Sequence, residues 1–241
     1  MIVVALSAAA QSTFELANQA YDAQRYADAV ALYDSLEVEQ GVSMQLYFNR
    51  GNAYYKMQQY APAILNYERA LRLSPGNSDV RYNLTLVNTK IVDKIEEKGT
   101  FFINVWATEL RDLFSVNTWA VIGIVSFFIF LAGIVVYFYT DVEKIRLKKW
   151  GFFVALLMIV ISIMANACAI TQNNRYKLHN EAIVFDDEIS VKSSPSDTGT
   201  ELFLLHEGTK VLIMETVGDW MEIQIPDGNR GWLPISAVQI I

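Results

Sequence analysis

The sequence has little of what catalysis and covalent cross-linking require. It contains one cysteine, Cys168, so it can form no internal disulfide, and only two histidines. We find no phosphate-cradling glycine loop, no strained nucleophile turn and no cluster of metal ligands in it. The sequence therefore predicts a protein that is not an enzyme and that uses no cofactor and no metal.

Charged residues are also scarce, at 19% of the chain, whereas apolar residues make up 53%. The apolar excess lies in two blocks, Trp119–Tyr139 and Trp150–Ile170, and neither block contains Lys, Arg, Asp or Glu. As a helix, each block would be about 31 Å long, which matches the hydrocarbon core of a bilayer. A buried helix of a soluble protein is the alternative, but such a helix rarely runs so long without a charge. We predict two transmembrane helices, at 118–140 and 150–171, that form an anchor, because no ionisable side chain lies within them to carry ions or protons.

The charges that are present are unevenly distributed. Residues 11–100 carry 9 basic and 11 acidic side chains (−2), residues 101–180 carry 7 and 4 (+3), and residues 181–241 carry 3 and 11 (−8). The acidic C-terminal region argues against nucleic-acid binding, because phosphate backbones require Lys and Arg.

Two features predict the orientation in the membrane. Residues 1–10 form an apolar run that ends in three alanines, which is typical of a secretory signal peptide. Because the run is short and lacks a preceding Lys or Arg, we predict a truncated signal peptide, with an ordinary N-terminal apolar turn as the alternative. The loop 141–149 between the spans is basic, and short basic loops stay in the cytoplasm. Its basic residues are Lys144, Arg146, Lys148 and Lys149. We therefore predict a bacterial inner-membrane protein with both termini in the periplasm.

The N-terminal region repeats itself with a spacing of 34 residues, which is the length of a tetratricopeptide helix pair. The positions that keep this spacing are Phe14, Phe48 and Tyr82, Tyr21 and Tyr55, Tyr26 and Tyr60, Ala29 and Ala63, and Tyr33 and Tyr67. We predict tetratricopeptide repeats over residues 11–97. The first helix pair ends in an acidic connector at 37–41, and the second pair ends at Pro75-Gly76-Asn77. The first helix of a third repeat, from Asp79 to Lys94, has no partner helix and caps the stack.

Stacked helix pairs leave a concave groove that binds peptides and proteins. The groove candidates, on the first helices, are Asn18, Tyr21, Asn52, Tyr55 and Lys56. In peptide-binding members of the family that this region resembles, paired Asn residues with nearby Lys and Arg hold a C-terminal carboxylate. Here Phe14 and Asn83 stand where a basic residue is expected. We therefore favour the interpretation that the two Asn side chains are solvated or cap neighbouring backbone, and the tyrosines suit an apolar or extended peptide.

A further amphipathic segment, residues 101–117, precedes the first span. Phe102, Trp106 and Leu110 recur in it at helical spacing, with charged residues between them. This pattern predicts a helix that lies along the membrane–water interface or packs against the repeats.

The C-terminal region, residues 181–241, alternates short runs of Val, Ile, Leu and aromatic residues with turn signals. We predict five strands, at Val184–Val191, Glu201–Leu205, Lys210–Thr216, Trp220–Ile225 and Gly231–Leu233. The motifs Val191-Lys-Ser-Ser-Pro195, Leu205-His-Glu-Gly208, Gly218-Asp-Trp220 and Gly231-Trp232 resemble those of bacterial SH3-like domains. Trp220 and Trp232 belong either to the packing of such a barrel or to an exposed binding cleft.

The order of these parts resembles the BatE family of Bacteroides aerotolerance (Bat) proteins over nearly the whole chain. The fold class is then a multidomain membrane protein with α-helical tetratricopeptide repeats, two transmembrane helices and a C-terminal all-β SH3-like barrel. The resemblance implies an inner-membrane scaffold that assembles with von Willebrand factor A-type Bat proteins and a MoxR-type ATPase, in a system linked to tolerance of oxygen or envelope stress. Two alternatives are a tether to peptidoglycan through the SH3-like domain and a regulatory subunit of a neighbouring membrane enzyme.

Overall fold

The protein divides into two compact units. A computed structural model describes residues 13–95, 102–178 and 180–241, and the candidate signal peptide at 1–10 lies outside these residues. One unit combines Met1–Thr100 with His179–Ile241, and the other is Phe101–Leu178. The first unit is thus built from the two flanks of the chain, with the second inserted between them in sequence.

Five helices form the N-terminal part of the first unit. They are α1 (residues 13–22), α2 (Tyr26–Gln40), α3 (Met44–Lys56), α4 (Tyr60–Leu73) and α5 (Ser78–Asn88). The turns inside the two helix pairs are alike: Gln24 and Gln58, which stand 34 positions apart, both adopt a left-handed backbone conformation with φ of 61° and 62°. The tetratricopeptide period is therefore repeated in the backbone as well as in the sequence.

The core of the repeats is formed by small residues against buried tyrosines. Tyr33 and Tyr67 are fully buried, and their rings contact Phe14 and Phe48, respectively, with centroids 6.0 and 6.1 Å apart. Gly51 allows this packing in the second repeat, since a Cβ atom at this position would lie 2.8 Å from Cε1 of Tyr67.

Two predicted boundaries in the repeats are wrong. The segment 37–41 is not a connector, because α2 continues through it to Gln40 and ends at Gly41, whose φ is 82°. Its residue Glu37 is held in the helix by Arg50 and Tyr47. The first helix of the third repeat, α5, ends at Asn88, well before the predicted end at Lys94.

Seven strands, not five, form the C-terminal part of the first unit, which we call the β domain (residues 181–241). They are β1 (Glu181–Val184), β2 (Glu188–Lys192), β3 (Glu201–His206), β4 (Lys210–Val217), β5 (Trp220–Gln224), β6 (Arg230–Pro234) and β7 (Val238–Ile240). They form one sheet in the order β3-β2-β6-β5-β4-β1-β7, with antiparallel pairing throughout.

The prediction of a single strand at Val184–Val191 is wrong because the chain turns between Val184 and Glu188, at two exposed aspartates. The short strand β7 pairs with β1 and was missed. The inward-facing residues of the sheet enclose a core of their own, which includes Val191, Leu205 and Ile223. The fold class predicted from the sequence is confirmed in its helical repeats, its two long apolar helices and its antiparallel all-β domain.

The second unit contains α6 (Phe102–Arg111), α7 (Val116–Tyr139) and α8 (Ile145–Leu178). Helices α7 and α8 are long and apolar enough to cross a membrane, and the mean hydropathy reaches 2.7 and 2.6 over an 18-residue stretch of each. They pack side by side, and the Ser162 hydroxyl of α8 donates to the Gly123 carbonyl of α7 at 2.9 Å. Helix α8 begins at Ile145 rather than at Trp150, so most of the predicted loop 141–149 is the first turn of this helix.

Candidate functional site

Asn18 is fixed inside the repeats by two hydrogen bonds. Its Oδ1 accepts from the hydroxyl of Tyr33 at 2.6 Å and from Nδ2 of Asn49 at 3.0 Å. The half-buried side chain therefore connects α1 with α2 and α3.

The same arrangement recurs one repeat later around Asn52. Its Oδ1 accepts from the hydroxyl of Tyr67 at 2.8 Å and from Nδ2 of Asn83 at 2.8 Å. Each of these residues lies 34 positions after its counterpart in the first repeat. The two asparagines thus form a ladder of hydrogen bonds that runs along the first helices from α1 to α5.

The tyrosine hydroxyls are donors in this ladder at neutral pH. Burial, as the main cause, raises the pKa of Tyr33 to about 12 and also raises the pKa of Tyr67. Because a protonated phenol donates and Asn Oδ1 only accepts, the orientation of both carboxamides is determined by their partners.

A pocket of about 240 Å³ opens beside the second rung of the ladder, between α1, α3 and α5. Its lining combines phenol rings, two amides, one ammonium group and one leucine, contributed by Tyr21, Asn52, Tyr55, Lys56, Tyr67, Asn83 and Leu86. The first helices of stacked repeats face the concave side, so the pocket lies where a bound peptide is expected.

Four of the five groove candidates line this pocket, namely Tyr21, Asn52, Tyr55 and Lys56, whereas Asn18 lies outside its lining. Lys56 is exposed and supplies the positive charge. Tyr21 and Tyr55 each contact a second tyrosine, with ring centroids 5.3 and 6.3 Å away. The pocket can therefore hold an apolar or aromatic side chain beside a hydrogen-bonding or acidic group.

Leu86 and Asn83 contribute to the pocket but were not among the candidates. Asn83 stands 34 positions after Asn49, and this repetition was a usable signal for it. Leu86 carries no such signal, because its position in the pocket depends on how α5 packs against α3.

A second polar network lies around Arg50, which is only 5% exposed. Its Nη1 donates to Asp34 Oδ1 at 2.6 Å and to Glu37 Oε2 at 2.5 Å, while its Nε donates to Asn66 Oδ1 at 2.7 Å. The guanidinium therefore connects α2, α3 and α4. Burial favours the neutral form of Glu37, but the hydrogen bonds from Arg50 and Tyr47 outweigh it and lower the pKa of this carboxyl. This network stabilises the stack and does not line the pocket.

The repeats and the β domain are joined at Asp93, which follows α5. Its Oδ2 accepts from the backbone N–H of His206 at 2.8 Å and from the hydroxyl of Thr209 at 2.6 Å, and its Oδ1 lies 2.8 Å from Nδ1 of His206. The contact is close: a Cβ atom on Gly208 would lie 2.6 Å from Cγ2 of Ile91.

The last strand and the start of β1 complete this interface. Arg72 Nη1 donates to the Ile241 carbonyl oxygen at 2.7 Å, and Lys210 bridges Glu68 at 2.8 Å and Glu181 at 3.4 Å. Three β-domain residues, Ile183, Phe185 and Ile241, belong to the hydrophobic core of the repeats. The β domain thus covers the end of the stack, where the third repeat has no second helix among the residues that the structure describes.

The tryptophans of the β domain lie on the outer face of the sheet. In β5 the buried residues are Met221 and Ile223, and in β6 they are Gly231 and Leu233, so Trp220 and Trp232 point the opposite way. Both indoles are half-buried, and neither belongs to the core of the domain.

A lysine completes this outer aromatic patch. Lys192 Nζ lies 5.6 Å from the ring centroid of Trp220, and the same residue is the cross-strand partner of Trp232. A cation over an indole is a favourable contact, and it holds the two rings and the ammonium group together on one surface.

Comparisons with known proteins identify the repeat and a partial relative. The tetratricopeptide repeat family matches residues 45–77, which cover α3, α4 and the turn after them. A protein of Bacillus subtilis (strain 168), named "Putative N-acetylmuramoyl-L-alanine amidase YrvJ", is 29% identical over 77 residues, which are 32% of this chain and 15% of that protein. The chain thus spans only a small part of this relative's length.

Among solved structures, PcrH in complex with the chaperone binding region of PopB is similar to this chain with 11% identity and a TM-score of 0.33. The similarity covers 69% of this chain and 93% of that one. The family match at residues 45–77 shows by itself that the helical region contains a tetratricopeptide repeat, which is a protein-interaction module. In the residues that the structure describes, no group of three His, Cys, Asp or Glu side chains could hold a metal ion.

Proposed function

We propose that this chain is a protein-interaction scaffold anchored in the bacterial inner membrane. In this proposal α7 and α8 span the bilayer, α6 lies at its outer surface, and the repeats and the β domain are periplasmic. The pocket beside Asn52 receives a segment of the partner protein, with Tyr21, Tyr55 and Lys56 as its contact residues.

One observation carries this proposal: the contact between Asp93 and His206. These residues lie on opposite sides of the helix pair in sequence, yet they belong to one compact unit. Two residues that contact each other must lie on the same side of a membrane. The chain between them must therefore cross that membrane an even number of times. Two helices of suitable length and hydropathy meet this requirement.

The basic residues just before α8 and at its start support the periplasmic placement of the first unit. Segment 141–149 carries 4 basic and 2 acidic residues. Because short basic segments remain in the cytoplasm, the flanks of the helix pair then face outward.

The order of the modules supports a particular class of assembly. A repeat region, a helix pair and an SH3-like β domain in this order resemble the BatE family, so we propose von Willebrand factor A-type Bat proteins and a MoxR-type ATPase as members of the complex. The physiological role would be tolerance of oxygen or envelope stress.

The test is a crosslinking pull-down of the full-length membrane protein. Deleting the repeats would uncover the β domain, so point substitutions are preferable. We expect Lys56→Glu combined with Tyr55→Ala to remove the von Willebrand-type membrane partners, because both side chains line the pocket. The control variant, Lys90→Glu, makes the same charge change at an exposed residue outside the pocket lining and should leave these partners bound. Recovery of the same partners with both variants would contradict recruitment through the pocket.

A second candidate function is a tether to the cell wall. Two observations favour it: Trp220 and Trp232 lie on the outer face of the sheet, where indole rings can stack on sugars, and the similar protein of B. subtilis carries an amidase name that refers to N-acetylmuramoyl-L-alanine. Full-length protein should then be retained by purified sacculi, and Trp232→Ala should reduce this retention while the pocket variant does not. Equal retention of wild type and Trp232→Ala would contradict the tether.

A further inference from the structure

An open concavity of about 690 Å³ lies at the end of the connection between α7 and α8 and along the start of α8, and its lining contains both charged and apolar side chains. Three cationic side chains line it, Lys144, Arg146 and Lys149, together with the single carboxylate of Glu143. The local balance is therefore three positive charges against one negative. In the part of the chain that the structure describes, none of the three cations forms an ion pair, so their charge is available to an external anion.

Apolar side chains lie between these cations. Ile145 and Leu147 also line the concavity and are 55% and 51% exposed, and Trp150, less than one helical turn further on, is 69% exposed. An inorganic anion would contact only the cationic side chains. An amphiphile with an anionic headgroup and a hydrocarbon tail would contact both the cationic and the apolar side chains.

The position along α8 corresponds to the headgroup layer. Helix α8 has 34 residues, so it is about 51 Å long and exceeds a hydrocarbon core of about 30 Å. Its first turn lies just before the charge-free stretch that starts at Trp150, and indole rings prefer the membrane–water interface. Lys144, just before α8, and Arg146 and Lys149, at its start, are therefore at the depth of lipid phosphates, and the positive end of the helix dipole adds to their potential.

From this geometry we infer that Lys144, Arg146 and Lys149 form a binding site for the headgroup of an anionic phospholipid, with Ile145 and Leu147 against its acyl chains. The inference rests on the membrane placement proposed above. Lys148 is not part of the site: its Nζ lies 5.1 Å from the ring centroid of Tyr137, so the side chain is turned onto α7.

This difference between neighbouring lysines provides a matched pair of variants. Lys149→Ala and Lys148→Ala remove the same charge from adjacent positions, so general attraction to an anionic surface falls equally in both. A defined site distinguishes them. We expect Lys149→Ala to weaken binding of phosphatidylglycerol about fivefold, and Lys148→Ala to change it less than about twofold.

The measurement is native mass spectrometry of the full-length protein in a neutral detergent, titrated with phosphatidylglycerol or phosphatidylcholine. Wild type should retain phosphatidylglycerol preferentially, and the triple variant Lys144→Ala/Arg146→Ala/Lys149→Ala should lose roughly 100-fold in affinity. Arg146→Lys, which keeps the charge, should remain close to wild type. Detergent micelles have no sidedness, so an altered membrane orientation of a variant does not affect the result.

Three outcomes would overturn the inference. Wild type could retain both lipids equally, Lys148→Ala and Lys149→Ala could weaken binding equally, or inorganic phosphate could displace the lipid at comparable concentration, which would identify a free-anion site instead. Insertion into vesicles of pure phosphatidylcholine tests the membrane spans separately. A protein that inserts there but shows no preference for phosphatidylglycerol contradicts the lipid site alone, whereas one that does not insert contradicts the proposed membrane anchor and, with it, this site.

Discussion

The carboxylate of Asp93 lies 2.8 Å from Nδ1 of His206, although the two residues are separated by 113 positions and by both long apolar helices. The same carboxylate accepts hydrogen bonds from the backbone of His206 and from Thr209. One side chain after α5 therefore satisfies three donors of the β domain.

Asp93→Ala should separate the repeats from the β domain more readily. The substitution leaves a backbone N–H and a hydroxyl without their acceptor in a half-buried contact, and such losses cost about 1–3 kcal/mol. We expect a lower denaturation midpoint for the full-length protein in detergent and faster proteolysis between residues 93 and 206. Asp79→Ala, at an exposed position in the first turn of α5, serves as the control. An Asp93→Ala protein as stable as this control would contradict the assigned role.

Acid should weaken the same contact. Burial favours the neutral form of Asp93, but the hydrogen bonds from Thr209 and His206 outweigh it and lower the pKa of this carboxyl below its ordinary value of 3.8. A lowered folded-state pKa contributes stability that is fully present above 3.8 and is lost as the pH falls through the folded-state value. The stability difference between wild type and Asp93→Asn should therefore shrink as the pH falls below about 4. A difference that stays constant down to pH 2 would show that the charge of Asp93 does not contribute.

Gly51→Ala should destabilise the second repeat. Its new Cβ would lie 2.8 Å from the fully buried ring of Tyr67 and 3.3 Å from the Ala63 carbonyl oxygen, so the α3–α4 pair has to move apart. Overpacking of this kind costs about 1–3 kcal/mol. The first repeat already carries alanine at the equivalent position, Ala17. There the reverse change, Ala17→Gly, should lower the free energy of unfolding by about 1 kcal/mol, because it lowers the helix propensity and leaves a small cavity. Thermal denaturation followed by circular dichroism at 222 nm checks both variants.

Arg50→Ala should be among the most damaging changes in the repeats. It removes a buried guanidinium from two carboxylates and an amide, and breaking such a buried network costs about 3–5 kcal/mol. Removing its more exposed partner with Asp34→Ala should cost less than about 1 kcal/mol, because the Asp34 side chain is 53% exposed and Glu37 remains in place. Equal losses for the two variants, measured by urea denaturation, would mean that the network is not dominated by the buried arginine.

Several of these features were visible in the sequence, and the reasons differ for those that were not. The 34-residue period predicted the helix pairs, and the absence of charged residues predicted the two long apolar helices. Both predictions succeeded because each pattern lies within the segment whose structure it predicts. The pairing of Asn18 and Asn52 was also visible, but their bonds to Tyr33 and Tyr67 depend on how two helices are rotated against each other. No local pattern specifies that rotation.

The β domain shows where local reasoning fails. Strand β7 has three residues and pairs with β1, which is more than fifty positions earlier, so neither its length nor its neighbours mark it as a strand. The contact of Asp93 with His206 has no sequence signature, since an aspartate after a helix usually faces water. Consequently the sequence predicted the modules but treated them as independent, whereas two of them share a core.

The placement of Ile183, Phe185 and Ile241 in the core of the repeats has a consequence for synthesis. The ribosome completes the helical repeats first and both apolar helices next, and only then produces the residues that cover the end of the stack. During that interval Ile91 and the exposed end of α4 have no partner from the β domain. The first unit thus reaches its native packing only after both long apolar helices have been synthesised, because the β-domain residues that complete its core follow these helices in the chain.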